Sequence, residues 1–408
     1  IEAHAISVGS TARDTWVRGE ADIDIFIMFP ADISEADLKE KGLALAKSIA
    51  YRYEERYASH PYIHAYFYDA DGRAEHEADL VPCFSVKDAS ALKSAVDRTP
   101  FHNEYVTARI PGLEDDVLLL KQFLKCQGIY GSEQRRKGFS GYLCELLILH
   151  YSSFAALLRH ASEWQYGERI DRVGHGSYKG EDPLVVVDPV DPKRNVAAAV
   201  SLDSFCHLID AARDFLACPD ASFFSPAKKK ELSSAEFAAC VEERGTAFVM
   251  VLFEAPDVVE DVLFPQLRKA ESSIAKLIEK NGFRIYRSDV SVEGKKAFFL
   301  VELLVWSLPR VKKHVGPPVT SADHSKRFKS KYKPFRKRIE DGRYVVEVRR
   351  NYTDVVELLK HELKSCSLGK HVSESIAKGY EVLRSEEITF FDGFDAFFGH
   401  YFGLSAAV

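Results

Sequence analysis

Apolar and polar positions in the N-terminal part of the chain alternate in short runs. The runs IEAHAISV (1–8) and DIDIFIMFP (22–30) predict two strands, and the segment from about Ser34 to Tyr57 predicts a helix. In HAYFYDADGRAEHEADLVPCF (64–84), the residues DADG are a turn signal between two alternating runs, which predicts a β-hairpin. These elements together predict an α/β unit.

The pattern changes twice further along the chain. Between 115 and about 215 apolar residues recur at helical spacing, which predicts a mainly helical middle part. After 219–226 (PDASFFSP), the strand-like run TAFVMVLFE, a helix from Gln266 to Lys280 and the run KAFFLVELLVWSL predict an α+β third part. The predicted fold class is therefore α/β and α+β multidomain, with domains at 1–111, 112–222 and 223–408.

Composition sets limits on the class of protein. The 408 residues exceed the ~250–300 at which a single core stops growing, so two or more domains are expected. With 46% hydrophobic and 28% charged residues the chain resembles ordinary soluble proteins, and no apolar run reaches the ~18 residues of a bilayer span. A net charge of -6 excludes a uniformly cationic nucleic-acid binder, so any RNA site must be a local patch.

The cysteines and the start of the chain indicate the compartment. Seven cysteines, an odd number without a CxxC pair, predict buried free thiols in a reducing cytosol. The start lacks the features of a signal peptide, so a cytoplasmic protein is expected. Because the first residue is Ile1 and the chain opens on a strand, we expect that it starts inside a domain and that an upstream segment is missing.

The candidate chemistry is concentrated in the segment VGSTARDTWVRGEADIDIFIMFP. Its Gly9–Ser10 pair closes one strand and opens a predicted helix, whose free N–H groups and dipole can hold a triphosphate. Asp22 and Asp24 lie two apart on a strand, so both carboxylates project from one face. Asp79, on the second hairpin strand, supplies a third, and solvent or Mg²⁺ must compensate their repulsion. A lone DxD is more often a solvated edge, and it is the preceding Gly-Ser pair that favours a metal site.

This joint pattern resembles the signature of the DNA polymerase β-like nucleotidyltransferase superfamily. Further segments are similar, in order and spacing, to archaeal class I CCA-adding enzymes: AVDRTPFHNEYV (95–106), LLKQFLKCQGIYG (119–131), KGFSGYLCELLILHY (137–151) and VVDPVDPKRNVAAAVS (186–201). The resemblance runs essentially from Ile6 to the C-terminal region and is looser beyond about Phe215. It implies stepwise transfer of CMP, CMP and AMP from CTP and ATP to the tRNA 3′ end, without a nucleic-acid template, releasing pyrophosphate by a two-metal mechanism.

The resemblance also implies which residues bind the triphosphate. Ser10 and Arg13 would contact it from the Gly-Ser turn, and Lys121 and Tyr130 would reach it from the helical part. An isolated Lys on an apolar helix usually lies on the solvated side, which is the alternative for Lys121.

Further residues are implied at the metals and the nucleotide. Asp22, Asp24 and Asp79 would hold the Mg²⁺ ions, although the family often has Glu at the position of Asp22. His102 looks like a nucleotide contact, with Thr99 serving the primer or nucleotide nearby. The alternative for His102 is a satisfied structural histidine.

Arg194 is expected to select the base. Its planar guanidinium can donate hydrogen bonds to acceptors on a base edge. Together with the RNA backbone it would form the pocket that selects CTP or ATP. The alternative is a structural role, in which Arg194 forms an ion pair with Asp188 or Asp191 that stabilises a turn. Both can hold together, since a docked carboxylate would fix the orientation of the guanidinium.

The stretch from Pro309 to Arg338 is dense in cations, and Asp323 is its one acid. Most charge runs are solvated faces, but interleaved aromatic residues favour a groove for RNA phosphates. The predicted RNA contacts are Lys326, Arg327, Lys329, Lys331, Lys333 and Arg336. By resemblance the partner is the tRNA acceptor stem and TΨC arm, and the grip on that arm makes the enzyme specific for tRNA.

Aromatic residues recur at helical spacing near the C-terminus: Phe390, Phe391, Phe394, Phe397, Phe398, Tyr401 and Phe402. They could stack bases, but core or dimer packing is the expected use, and a homodimer is left open. Two rival functions are also left open. One is a poly(A) or oligoadenylate polymerase of the same superfamily, and the other is a catalytically silent RNA-binding relative.

Overall fold

The two apolar runs at the start of the chain pair side by side in a five-stranded mixed sheet. The elements here are β1 (His4–Val8), β2 (Ile23–Pro30), α1 (Glu35–Ile49), β3 (Arg52–Tyr57), β4 (Pro61–Tyr68) and β5 (Glu75–Ser85). The strand order is β1-β2-β5-β4-β3, in which β2 and β5 are parallel and the other neighbours antiparallel. The computed structural model describes residues 2–19, 22–57, 61–69, 71–72, 75–176, 178–225, 231–388 and 394–403.

One face of this sheet is covered by α1. Ile27 and Phe29 on β2 and Leu80 on β5 pack with Leu38 and Leu43 of the helix. The alternation of β2 therefore turns its isoleucines towards α1 and leaves the residues between them on the opposite face. The predicted hairpin is confirmed, with Tyr68 opposite Glu75.

Two predictions for this part are wrong. The segment 52–57 is not the end of a helix but an edge strand, because RYEERY pairs with β4 along its whole length. The helix expected after Ser10 is a single 3₁₀ turn, Thr11–Arg13, and it ends at Asp14, whose φ of 54° lies in the left-handed region.

The middle part is helical, as predicted. Its elements are α2 (Thr99–Thr107), α3 (Glu114–Cys126), α4 (Gly141–Tyr151), α5 (Phe154–Ala161), β6 (Glu168–Ile170), β7 (Leu184–Val186) and α6 (Leu202–Ala217). Ser140, Ser153 and Ser201 cap the starts of α4, α5 and α6 by accepting a backbone N–H. The helices share one apolar core that contains, for example, Phe123 and Leu147.

No single helix in the described ranges has the length and apolar character needed to cross a bilayer. Only α4 and α5 together meet those two criteria, and they do so as a pair bent by 92°. Both helices contribute buried residues to the core of the middle part.

The remainder of the chain is α+β, as predicted. Its elements are α7 (Ser234–Arg244), β8 (Ala247–Glu254), α8 (Glu260–Lys280), β9 (Arg284–Glu293), β10 (Lys296–Val305), β11 (Val311–Pro318), α9 (Ala322–Lys331), β12 (Lys337–Glu340), β13 (Arg343–Arg349), α10 (Val355–Glu362), α11 (Lys370–Lys378), β14 (Tyr380–Arg384) and α12 (Phe394–Tyr401). The helix predicted from Gln266 begins at Glu260, because Leu263 and Phe264 bury against the sheet and the helix accommodates Pro265.

Two sheets organise this remainder. The four-stranded sheet β14-β8-β10-β9 is covered on one face by α8, α10 and α11 and on the other by α7 and α12. The smaller sheet β11-β13-β12 carries α9, whose Phe328 packs on Tyr344 and Val346.

The aromatic stripe of α12 packs inside its own unit. Phe394, Phe398 and Tyr401 are buried in the core beneath β10, so the expected packing is confirmed and base stacking by these residues is excluded. Phe390 and Phe391 lie outside the described residues.

By their contacts the residues form two compact units, Ile1–Ala227 and Lys228–Val408. The predicted boundary at 111/112 falls inside the first unit and stays a prediction. All seven cysteines are free thiols, but only Cys83 and Cys144 are buried. Cys206 and Cys218 are exposed, so the prediction of buried thiols is wrong for these two.

Candidate active site

Asp24 and Asp79 lie side by side in a row of paired residues that crosses four strands. Asp24 on β2 is opposite Val8 on one side and Asp79 on the other, and Asp79 is opposite His64 on β4. Paired residues of neighbouring strands share a face, so these side chains all lie on the face opposite α1. Asp22 is exposed and lies immediately before β2, one residue outside the strand on which it was predicted.

The electrostatics of this row show a shortage of positive charge. Burial, together with the neighbouring carboxylates of Asp79 and Asp22, raises the pKa of Asp24 to about 6, against a smaller opposing effect of Arg13. A cation held between the carboxylates would remove this penalty, and carboxylate oxygens are the ligands that Mg²⁺ prefers. Within the described ranges no three His, Cys, Asp or Glu side chains are gathered as a ready metal site.

Gly9 allows the turn after β1 to approach Asp24. Its φ is 79°, and a Cβ built there would lie 2.3 Å from Asp24 Oδ2. A side chain at this position would displace the carboxylate, so the glycine of the Gly-Ser pair is a steric requirement. The carbonyl of Ser10 accepts the N–H groups of Arg13 and Thr15 at 3.2 and 3.0 Å, and the Ser10 hydroxyl does not cap the 3₁₀ turn.

His64 is a site residue that the sequence analysis missed. Its Nδ1 lies 2.6 Å from Asp79 Oδ1, and its Nε2 lies 3.1 Å from Glu77 Oε2. One oxygen of Asp79 is thereby oriented by the imidazole. The missing signal is the register of the hairpin, in which Tyr68 faces Glu75 and, four residues further along each strand, His64 faces Asp79.

The two cations predicted at the triphosphate are both held by oxygens of the protein. Arg13 donates from Nε and Nη2 to Glu145 at 2.9 and 3.0 Å, and from Nη1 to Asn103 Oδ1 at 2.8 Å. Any contact of Arg13 with a phosphate would use its remaining N–H groups. Lys121 Nζ donates to the carbonyl of Thr15 at 2.6 Å.

Lys121 is 2% exposed, so the alternative of a solvated Lys is wrong. Burial lowers the pKa of its ammonium group, and nearby Glu145 counteracts the effect. A Cβ built at Gly141 would lie 3.2 Å from the hydroxyl of Tyr130 and 3.5 Å from Lys121 Nζ. The side-chain ends of Tyr130 and Lys121 therefore both lie next to Gly141, at the start of α4.

Asp188 organises the residues predicted to contact the base. Its Oδ2 accepts from Arg194 Nη1 at 2.8 Å and lies 2.9 Å from His102 Nε2, while Tyr142 donates to Oδ1 at 3.4 Å. Burial alone would raise the pKa of Asp188, but the hydrogen bonds and charge of His102, with a backbone N–H and Arg194, hold it at about 2. The pairing of Arg194 with Asp188 is thus present, and Asp191 pairs instead with Arg98 at 2.8 Å.

A cavity of about 580 Å³ opens beside this network, lined by residues that include His102, Tyr142, Tyr178, Arg194 and Asn195. Its volume lies in the range of small-molecule sites. The ring of His102 stacks on that of Tyr142 with centroids 4.1 Å apart, which fixes the wall of the cavity. Thr99, the first residue of α2, lies one helical turn before His102.

Comparison with known proteins gives the family. Residues 2–102 match the nucleotidyltransferase domain, 115–225 the second domain of tRNA nucleotidyltransferase, and 244–385 the C-terminal domain of the CCA-adding enzyme. The CCA-adding enzyme of Methanosarcina barkeri is 47% identical over 389 residues, which are 93% of this chain and 84% of that protein. The chain belongs to the CCA-adding enzyme family. The CCA-adding enzyme of Archaeoglobus fulgidus is 40% identical over 385 residues, 94% of this chain and 86% of that protein.

A structure of the Cid1 poly(U) polymerase overlaps with 55% of this chain and 87% of its own, at a TM-score of 0.41 and 14% identity. The membership of the CCA-adding enzyme family confirms the resemblance on which the site was predicted. It also confirms the nucleotidyltransferase fold class, because the matched nucleotidyltransferase region contains the whole five-stranded mixed sheet.

In this CCA-adding family member the basic stretch divides between a helix and a sheet. The six predicted RNA contacts are all exposed and lie on α9 or in the loop that follows it. Within the described part of the chain these six side chains form no salt bridge. Lys313 and Arg338, by contrast, pair with Glu340, and Arg338 also pairs with Glu347.

Proposed function

We propose that this chain adds CMP, CMP and AMP from CTP and ATP to the 3′ end of tRNA, without a nucleic-acid template, and releases pyrophosphate. The observation that carries the proposal is the pairing of Asp24 with Asp79 beside the Gly9–Ser10 turn, in a chain of the CCA-adding enzyme family. A nucleotidyl transfer needs clustered carboxylates next to a phosphate-binding turn, and this face of the sheet provides both.

The carboxylates Asp22, Asp24 and Asp79 would hold Mg²⁺. Bound Mg²⁺ supplies activation of the attacking 3′-hydroxyl and neutralises charge on the leaving pyrophosphate. Asp79 is the carboxylate that would accept the proton of that hydroxyl, and His64 keeps one of its oxygens in a fixed orientation. The charges of both other carboxylates act on Asp24, which would therefore be the common ligand.

The nucleotide would be held in two places. Ser10, Arg13, Lys121 and Tyr130 would receive the triphosphate. His102, Thr99 and Arg194 would line the site of the base and the primer end, where the cavity lies. Asp188 fixes the guanidinium of Arg194, so that its remaining donors face a base edge in one orientation.

We propose that α9 binds the RNA backbone, as part of the grip on the acceptor stem and TΨC arm. Support comes from its exposed cations, which form no salt bridge within the described part of the chain and can therefore replace counterions on phosphates. A pocket of about 310 Å³ between β11 and α9, lined by His314, His324, Arg327, Lys331 and Tyr332 among others, adds aromatic surface beside these cations.

We further propose the domain division 1–111, 112–222 and 223–408, since the matched family regions fall close to these bounds. Free thiols at all seven cysteines support a cytoplasmic setting. The described aromatic residues of α12 occupy the core of their own unit, and so they give no support to a homodimer.

The substrate requirement tests the function. The full chain is incubated with tRNA lacking its last three nucleotides, and with CTP alone, ATP alone or both. Addition of two nucleotides with CTP alone, and of C, C and A with both, is expected. A control hairpin RNA without the tRNA elbow should not be extended. ATP-only tailing of either RNA would instead support the rival poly(A) polymerase.

A further inference from the structure

Glu145 is a buried carboxylate that the proposed reaction does not use. It lies on α4 and is 0% exposed. It accepts two hydrogen bonds from Arg13, at 2.9 and 3.0 Å, and a third from Thr15 Oγ1 at 2.6 Å. A buried ionised carboxylate is costly unless it is paired and hydrogen-bonded, and here both conditions are met by one short segment of chain.

That segment is the turn that follows the Gly9–Ser10 pair. Arg13 ends the 3₁₀ turn, Asp14 turns the chain in the left-handed region, and Thr15 is buried. Glu145 therefore binds the residues on both sides of Asp14, Arg13 and Thr15, and so stabilises the bend between them. The carbonyl of Ser10 accepts the N–H groups of Arg13 and Thr15, so these contacts also fix Ser10.

The same contacts reach the second predicted phosphate ligand. Lys121 Nζ donates to the carbonyl of Thr15, and the charge of Glu145 acts on this ammonium group. Glu145 thus contacts Arg13 directly and holds Lys121 through Thr15. Asn103 supports Arg13 from the other side, by accepting from Nη1.

We propose that Glu145 is a positioning residue for the incoming nucleotide, which holds Arg13 and Thr15 so that the Ser10 turn and Lys121 receive the triphosphate. The inference rests on the proposed nucleotide site. Because Glu145 contacts neither base nor sugar in this arrangement, its loss affects CTP and ATP equally. Loss of a base-selecting residue such as Arg194 would instead affect CTP and ATP by different factors.

A second buried glutamate provides a matched control. Glu302 is also 0% exposed, and it accepts two hydrogen bonds from Arg244, at 2.7 and 3.1 Å, one from Thr246 at 2.7 Å and a further one from Tyr401 at 3.0 Å. The arginine and threonine are again two residues apart. Glu302 belongs to the other compact unit. Its replacement therefore shows how KM and kcat respond to the loss of a similar buried hydrogen-bond network that is not part of the proposed nucleotide site.

The test compares Glu145→Gln with Glu302→Gln in the full chain. KM and kcat are measured for ATP on tRNA lacking the final A, and for CTP on tRNA lacking all three nucleotides. We expect Glu145→Gln to raise both KM values by about tenfold, by the same factor for each, with kcat changed by less than about threefold. Glu302→Gln should change neither KM by more than about twofold.

Double substitution and two single variants separate the possible failures. If Glu145 acts through Arg13, adding Glu145→Gln to Arg13→Ala should raise KM by much less than tenfold. If Arg13→Ala and Lys121→Ala leave KM unchanged, the proposed nucleotide site is wrong, and this inference fails with it. If those variants raise KM but Glu145→Gln does not, only the role of Glu145 is overturned.

A milder variant covers the case that Glu145→Gln does not fold. Thr15→Val keeps the buried volume and removes one of the three hydrogen bonds to Glu145. It should raise KM for ATP and CTP equally, by about threefold, at unchanged kcat. An unchanged KM in folded Thr15→Val protein would contradict the proposal.

Discussion

Two largely buried carboxylates of the same unit have opposite electrostatic situations. Asp188 is fully buried but is surrounded by donors, and its pKa is about 2. Asp24 is less buried and has carboxylates as neighbours, and burial together with the charges of Asp79 and Asp22 raises its pKa to about 6. The presence or absence of a compensating partner, rather than burial alone, separates a carboxylate that stabilises the fold from one that awaits a cation.

Asp24→Asn should separate activity from stability. Transfer should fall by about a thousandfold or more, because the charge that holds the cation is lost. Without added Mg²⁺ the variant should be more stable than the wild type by about 1 kcal/mol, since the cost of burying the charge and the like-charge repulsion are both removed. Urea unfolding in the presence of a chelator and extension assays measure the two effects. The exposed Asp22→Asn is the control, with lower activity and a smaller gain in stability; a destabilised Asp24→Asn would contradict this account.

Asp188→Asn should remove a pH-dependent part of the stability. The folded-state pKa of about 2 lies below the ordinary 3.8, so the stabilisation is complete above pH 3.8 and disappears as the pH falls through 2. A depression of nearly two pH units corresponds to about 2 kcal/mol. Urea unfolding at pH 7 and pH 5 should give a free energy of unfolding that is lower for the variant than for the wild type by this amount. The difference between the two free energies should become smaller as the pH approaches 2. The exposed Asp210→Asn serves as control. A difference that is constant with pH would show that the Asp188 charge is not responsible.

Contacts of individual residues were predictable where both partners belong to a local sequence motif or to neighbouring predicted strands. Asp24 and Asp79 could be paired from their strands. The turn around Arg194 left Asp188 and Asp191 as its possible partners, and the structure shows the pair with Asp188. Glu145 lies 132 positions from Arg13 and sits in an apolar helix, where the sequence gives no sign of its partner. His64 could not be placed from the DADG turn alone, because a register centred on that turn would put it opposite Glu77, whereas the observed register puts it opposite Asp79.

At the scale of elements, the apolar alternation predicted β2, the hairpin and the central strands of both large sheets. It failed for β3 and for the turn after Ser10. The sequence RYEERY has too little apolar character to mark a strand, and its extended form comes from pairing with β4. The turn after Ser10 is set by long-range contacts to Glu145 that no local pattern encodes.

Charge on α9 should matter more than charge on the sheet beside it. Replacing Lys326 and Lys329 by Ala should weaken tRNA binding and reduce the slope of log affinity against log salt concentration by about 1.5 to 2. The matched variant replaces Lys313 and Arg338, whose charges are already paired with glutamates. It should change the slope by less than about 0.5. Equal slopes for the two variants would remove the reason for assigning α9 to RNA.

For the whole molecule, each compact unit has its own hydrophobic cores. The four-stranded sheet of the second unit is covered on both faces, with Phe264 in one core and Phe398 in the other. Residues 228–408 expressed alone should therefore unfold in one cooperative transition by circular dichroism, and should bind tRNA without transferring nucleotides. A fragment without a cooperative transition would show that its fold depends on the first unit.

The most direct test of the central claim is sequencing of tRNA 3′ ends after incubation with CTP and ATP, for wild type, Asp24→Asn and Arg194→Ala. The account predicts CCA from the wild type, unextended ends from folded Asp24→Asn protein, and misincorporated bases from Arg194→Ala. CCA ends made by the Asp24→Asn protein would contradict it, because the reaction would then not depend on the carboxylate pair of β2 and β5.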